Sequence, residues 1–157
     1  MHQFRTTTGS SASRDFTFLS DGKVIFSALS DAEGREPWLT DLAGSTMMLS
    51  DLFVGTDSSD PQDFTPTSDG KVFFTALDAE DNRELYFFDG TTTTKVKEIH
   101  TSEGSNPQNL FWHQGKLYFS ANDDGLNNEL WVSDGTTLGT VLLKDINPTG
   151  GSEPGEF

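Results

Sequence analysis

The sequence predicts an all-β protein built from repeats, and three observations carry that expectation. First, Glu129-Leu130-Trp131-Val132-Ser133-Asp134-Gly135-Thr136 has a counterpart in Glu84-Leu85-Tyr86-Phe87-Phe88-Asp89-Gly90-Thr91. A worn copy, Glu36-Pro37-Trp38-Leu39-Thr40-Asp41, precedes both, so the leading glutamates are 48 and then 45 positions apart (36 to 84, 84 to 129). Repeats of this length belong to solenoids, propellers or arrays. Second, the apolar runs are short, rich in β-branched and aromatic residues, and without an amphipathic helical period. Third, Asp-Gly pairs punctuate them at fixed places.

Each unit reads as a meander of four strands. In the third copy Leu110-Phe111-Trp112-His113 is the first strand, and Lys116-Leu117-Tyr118-Phe119-Ser120-Ala121 is the second. The junction is Gln114-Gly115, where the other copies have Asp21-Gly22 and Asp69-Gly70. Asp-Gly between apolar runs predicts a tight type I′ hairpin, because that turn needs positive φ at both central residues. A polar stretch leads to a third strand from Glu129, Asp134-Gly135-Thr136-Thr137 turns the chain, and Thr140 to Ile146 forms the fourth strand. Asp89-Gly90 makes the same turn one copy earlier. The first copy has Asp41-Leu42-Ala43-Gly44 there, so its turn must differ in detail.

A second signature joins the units. Ser59-Asp60-Pro61-Gln62-Asp63-Phe64 matches Ser105-Asn106-Pro107-Gln108-Asn109-Leu110 and Ser152-Glu153-Pro154-Gly155-Glu156-Phe157. Ser11-Ala12-Ser13-Arg14-Asp15-Phe16 is a degraded copy without the proline. Proline donates no hydrogen bond, which suits a crossover between sheets. Four-stranded sheets joined by a fixed crossover predict blades of a β-propeller. The expected division is 1–15 as the last strand and crossover of a preceding blade, then blades at 16–63, 64–109 and 110–157 of about 47 residues each. Three blades cannot close a ring alone. The end blades are expected to expose apolar faces, so ring completion is expected from self-association or from a longer parent chain.

Composition narrows the function classes. The 157 residues carry 25 acidic and 10 basic side chains, a net charge of −15. Such a surface repels phosphate backbones, which argues against nucleic acid as partner. There is no cysteine, hence no disulfide and no thiolate metal site. No apolar run approaches the roughly 18–20 residues that span a bilayer. The start, Met1-His2-Gln3-Phe4-Arg5, has no apolar signal core. The chain is therefore expected to be either cytoplasmic or a mature or excised piece of something longer, and the open-ended repeat favours the second.

The third unit, from Glu129 to Thr136 and on through Leu138-Gly139-Thr140-Val141-Leu142-Leu143-Lys144-Asp145-Ile146, resembles the bacterial ELWxxDGT repeat. The second unit has Tyr86 for the Trp and Thr91 to Thr94 where Gly-Thr belongs; the first has Pro37 for Leu and lacks Asp-Gly-Thr. The resemblance covers residues 16–157. It implies a repeat-built propeller in an exported or surface-associated bacterial protein, and no established catalytic residue. The Ser133-Asp134-Gly135-Thr136 turn is also similar to the Asp-box of sialidases, whose Asp caps a hairpin away from the catalytic centre.

Candidate chemistry is sparse. The loops before the third strands contain Asp78, Asp81 and Asn82 in one unit, and Asp123, Asp124 and Asn127 in the next. Calcium takes six to eight oxygen ligands, and these loops supply carboxylates and amides. The same residues make ordinary turns, because their side chains cap local backbone. Glu36, Glu84 and Glu129 recur in every unit, which points to architecture rather than catalysis: pairing with Arg35 or Arg83, or satisfying donors at a blade junction. His2, His100 and His113 are non-equivalent and lack ligand spacing. Trp38 and Trp131 are repeat-equivalent and expected between blades, whereas Trp112 is not and is the candidate for an exposed ligand contact.

The leading expectation is a non-enzymatic structural or binding module that acts through protein–protein association. The alternatives are a glycan-binding propeller, with calcium assisting, and a fragment of a propeller hydrolase, which would need two carboxylates about 5–10 Å apart.

Overall fold

The structure, a computed structural model, describes residues 13–123 and 128–155. It holds three four-stranded antiparallel sheets, each a meander in chain order. Blade 1 contains β1 (Arg14–Phe18), β2 (Val24–Ser30), β3 (Gly34–Thr40) and β4 (Thr46–Met48). Blade 2 contains β5 (Gln62–Pro66), β6 (Val72–Leu77), β7 (Arg83–Phe88) and β8 (Thr93–Lys95). Blade 3 contains β9 (Gln108–His113), β10 (Lys116–Asn122), β11 (Asn128–Ser133) and β12 (Val141–Lys144). The preceding-blade strand expected within 1–15 falls largely on residues 1–12, outside the described residues. No described helix is long and apolar enough to cross a membrane.

Strand alternation decides how the blades stack. Successive side chains point to opposite faces, so Phe73 and Phe74, neighbours on β6, serve different interfaces. Phe74 joins Phe64, Val72, Ala76, Tyr86 and Phe88 against Ile25 and Leu39 of blade 1. Phe73 joins Leu85, Val96 and Ile99 against Leu117, Phe119, Ala121 and Trp131 of blade 3. Both phenylalanines are fully buried; each burial contributes about 2–3 kcal/mol. Trp131 thus lies between blades as expected. Trp38 is buried with Phe26 and Ala28 on the side of blade 1 that faces away from blade 2.

The first strands lie side by side, β1 against β5 and β5 against β9, which places them innermost in a fan of blades. Each carries a bulge at a left-handed residue: Asp15 (φ 58°), Asp63 (φ 56°) and Asn109 (φ 55°). Asp and Asn tolerate this conformation better than most residues. The crossovers use the same chemistry one residue after the serine, at Asp60 (φ 49°) and Asn106 (φ 45°).

The hairpin expectation needs correcting. At Gln114-Gly115 both residues have positive φ, 48° and 79°, as a type I′ turn requires. At Ser20-Asp21-Gly22 and Ser68-Asp69-Gly70 only the glycine does. There the amide of Gly22 donates to Leu19 O at 3.0 Å, and the amide of Leu19 donates to Lys23 O at 2.8 Å. The loop therefore has three residues, a type I turn closed by a left-handed glycine. The extra serine lengthens the loop and releases Asp from the left-handed region. The turn after β3 also differs as expected: Asp41 N reaches Ser45 O, whereas Asp89 N reaches Thr92 O, one residue nearer.

Candidate functional site

The recurring glutamates are joints. Glu36, Glu84 and Glu129 lie near the starts of β3, β7 and β11 and are buried. Glu36 accepts hydrogen bonds from the Ser59 amide (3.0 Å), the Ser59 hydroxyl (2.7 Å) and the Leu52 amide (3.0 Å). Glu84 accepts from the amide (3.0 Å) and hydroxyl of Ser105. Glu129 accepts from the amide (3.1 Å) and hydroxyl (2.5 Å) of Ser152. Each serine begins the crossover signature, so one carboxylate per blade holds the start of the next. Burial pushes Glu36 up to about 7, against the pull of its amide and hydroxyl donors. Burial raises Glu84 too. The partners are serines and backbone amides, not the neighbouring arginines.

Those arginines meet elsewhere. Arg14 pairs with Asp60 at 2.5 Å, Arg35 lies 3.6 Å from the same carboxylate, and Arg83 donates to the Asp60 carbonyl at 3.2 Å. Where blade 3 replaces Arg83 by Asn128, the crossover replaces Asp60 by Asn106. The junction of blades 1 and 2 is thus ionic, and its counterpart carries amides.

The acidic loop of blade 2 is a capped turn. Asp78 is buried, and its Oδ1 accepts from the amides of Glu80 and Asn82, both at 3.0 Å. Its Oδ2 pairs with Lys95 at 3.0 Å. These partners hold its carboxyl below the usual range against the opposing effect of burial. Asp81 sits at φ 64° and donates its amide to Asp78 O. Asp123 precedes a gap in the described residues, and Asp124 and Asn127 lie outside them. Among the described residues no group of three His, Cys, Asp or Glu side chains could hold a metal ion. His100 is buried, with Nδ1 accepting from the amides of Ser102 and Glu103.

Trp112 is not the freely exposed contact that its lack of repeat equivalence suggested. It is half-buried at the junction of blades 2 and 3, its ring 5.8 Å from that of Phe73. One side of it faces a cleft of about 320 Å³, also lined by Thr67, Ser68, Asp69, Lys71, Phe87 and Asp134. Sequence reading singled out the tryptophan and missed the cleft, which forms only when two hairpin tips and a turn from two blades come together.

The remaining site is a surface. Phe111, Tyr118, Val132 and Val141 pair across all four strands of blade 3 and form one row on the face turned away from blade 2. Phe111 is 42% exposed and Val141 46%. The equivalent row of blade 2 is Thr65, Phe73, Phe87 and Thr94, and its Phe73 is sealed by blade 3. Blade 1 does not mirror this. The expectation that both end blades expose apolar faces holds for blade 3, whereas the centre of the outward face of blade 1 is buried at Phe26, Ala28 and Trp38. At its first strand Phe16 and Phe18 are strongly exposed.

No family model matches the chain. No curated protein matches it either.

Proposed function

We propose that the chain is a non-enzymatic binding module that acts through protein–protein association, using the open face of blade 3. The row Phe111–Tyr118–Val132–Val141 carries this reading. A face evolved for water would be polar at its edges. This one has Phe111 and Val141 where the internal, covered face of blade 2 has Thr65 and Thr94. Leu143 and Ile146, further along the same segment, are exposed as well. Exposed patches of this kind mark interaction sites.

The partner is a second copy of the chain. Sheet faces pack on sheet faces throughout this molecule, and blade 3 offers the side that blade 2 uses to receive a neighbour. A non-catalytic role is supported by the fate of the most conspicuous carboxylates, which are consumed in joints. The likeness to the ELWxxDGT repeat supports an exported or surface-associated bacterial setting.

Light scattering across a concentration series tests the reading. A 17.2 kDa chain should give a discrete larger species, and Val141→Asp, at an exposed position, should return it to the monomer. A wild-type chain that stays monomeric throughout would sink the proposal.

A further inference from the structure

We propose that the cleft between blades 2 and 3 binds a neutral pyranose, with the apolar face of the sugar on Trp112 and its hydroxyls on Asp69, Lys71 and Asp134. This goes beyond the association at blade 3 and does not depend on it.

The cleft combines two kinds of wall. One is aromatic: Trp112, on β9, and Phe87, on β7. The other is polar and supplied by turns: Thr67, Ser68, Asp69 and Lys71 from the β5–β6 hairpin, and Asp134 from the turn after β11. A pyranose presents the complement of this arrangement, a flat patch of C–H groups and an edge of hydroxyls that both donate and accept. An aromatic surface with a few placed polar groups is the general composition of small-ligand sites, and about 320 Å³ lies near the lower end of their size range.

The charges select a neutral ligand. Asp69 pairs with Lys71 at 2.8 Å and Asp134 with Lys116, beside the cleft, at 3.2 Å, so each carboxylate of the polar wall has a lysine counter-ion. These pairs are well exposed to solvent; such pairs contribute little to stability and can open to admit hydroxyls. The paired wall offers a sugar acid no free cation, and the field of a chain with net charge −15 opposes its approach.

The repeat supplies an internal comparison. At the junction of blades 1 and 2, Asp21, Lys23 and Asp89 reproduce the polar wall, but Pro66 stands for Trp112 and Leu39 for Phe87. Packing between blades is therefore achieved without the aromatic pair, which belongs to one junction alone. Room has been made for it: a Cβ on Gly135 would lie 2.9 Å from the Phe87 ring, whereas one on the equivalent Gly90 would meet nothing within 4 Å.

Calorimetric titration with maltohexaose, cellohexaose, xylohexaose and mannohexaose tests the assignment, with a hexamer of galacturonic acid as the anionic comparison. At least one neutral hexaose should bind at one per chain with a Kd of about 1 mM or below. Trp112→Leu, which keeps an apolar side chain against Phe73, should weaken binding roughly tenfold or more. Asp69→Asn, at an exposed hairpin tip, should also weaken it and leave the fold intact. The proposal is overturned if no neutral hexaose binds, if both variants bind as the wild type does, or if the sugar acid binds as well as the neutral sugars. The association at blade 3 is read from Val141→Asp, so either proposal can fail while the other stands.

Discussion

Glu36 and Ser59 stand 23 residues apart in the chain and are joined twice, through the serine amide and the serine hydroxyl. The Ser59 carbonyl in turn accepts the amide of Leu77 in blade 2 at 2.6 Å. One serine therefore links the third strand of one blade to the second strand of the next. Ser105 repeats this between Glu84 and the amide of Asn122.

Removal of the carboxylate should be costly. Glu84→Ala leaves the Ser105 amide and hydroxyl buried without their acceptor, and stability should fall by about 2–4 kcal/mol. Ser105→Ala removes one of the two bonds and should cost about 1–2 kcal/mol. Urea denaturation measures both. A loss below about 0.5 kcal/mol for Glu84→Ala, the range of ordinary surface substitutions, would show that the joint is dispensable.

The same joint gives a pH dependence. Burial raises Glu36 from 4.5 to about 7, so the folded chain holds that proton more tightly than the unfolded chain. Its contribution to stability is full below the unfolded pKa and is lost as pH rises through the folded one. Between about pH 4.5 and pH 7 the loss is roughly 2–4 kcal/mol. Asp78 and Asp134, which are lowered, act with the opposite sign at more acid pH. Glu36→Gln should therefore flatten the fall in stability across the neutral window. Parallel wild-type and Glu36→Gln curves over that range would contradict the assignment.

Two glycines with similar φ should respond differently. Gly34 (φ +69°) lies against the backbone carbonyl of Asp57, and a Cβ would collide with it. A Cβ on Gly44 (φ +87°) would meet nothing within 4 Å among the described residues. Gly44→Ala should cost only the backbone strain, about 1 kcal/mol, and Gly34→Ala at least about 3 kcal/mol. Equal melting temperatures for the two variants would refute the close approach.

Asp78 is predicted to act as a cap in calcium and in chelator alike. Asp78→Asn removes the charge paired with Lys95 and should lower stability by about 1–2 kcal/mol in either solution. A loss seen only with calcium present would instead assign a calcium ion to that loop.

Much of the fold was legible because period-two alternation and turn residues are local signals. The strands of blade 3 fall within a few residues of where the runs place them, and the Ser-x-Pro signature marks the crossovers. The hairpins at Asp21-Gly22 and Asp69-Gly70 were misjudged because loop length depends on which residues pair, and that lies outside the dipeptide. The role of the glutamates was half-visible: their recurrence indicated architecture, but nothing local identifies a serine 23 residues away. Trp112 was readable as an oddity of its repeat. Its cleft was not, since Asp69 and Asp134 are 65 positions apart (69 to 134) and meet only through blade stacking.

The clamp formed by Glu129 and Ser152 shows where a self-sufficient unit ends. By strand boundaries the third blade is finished at Lys144. By its chemistry it is finished only at Ser152, because a chain trimmed after Lys144 would strand a buried carboxylate without the groups that satisfy it. The module that can be copied, moved or joined to another is therefore offset from the visible sheet. It carries its own docking peg at one end, and a socket for the peg of its predecessor would travel with that predecessor.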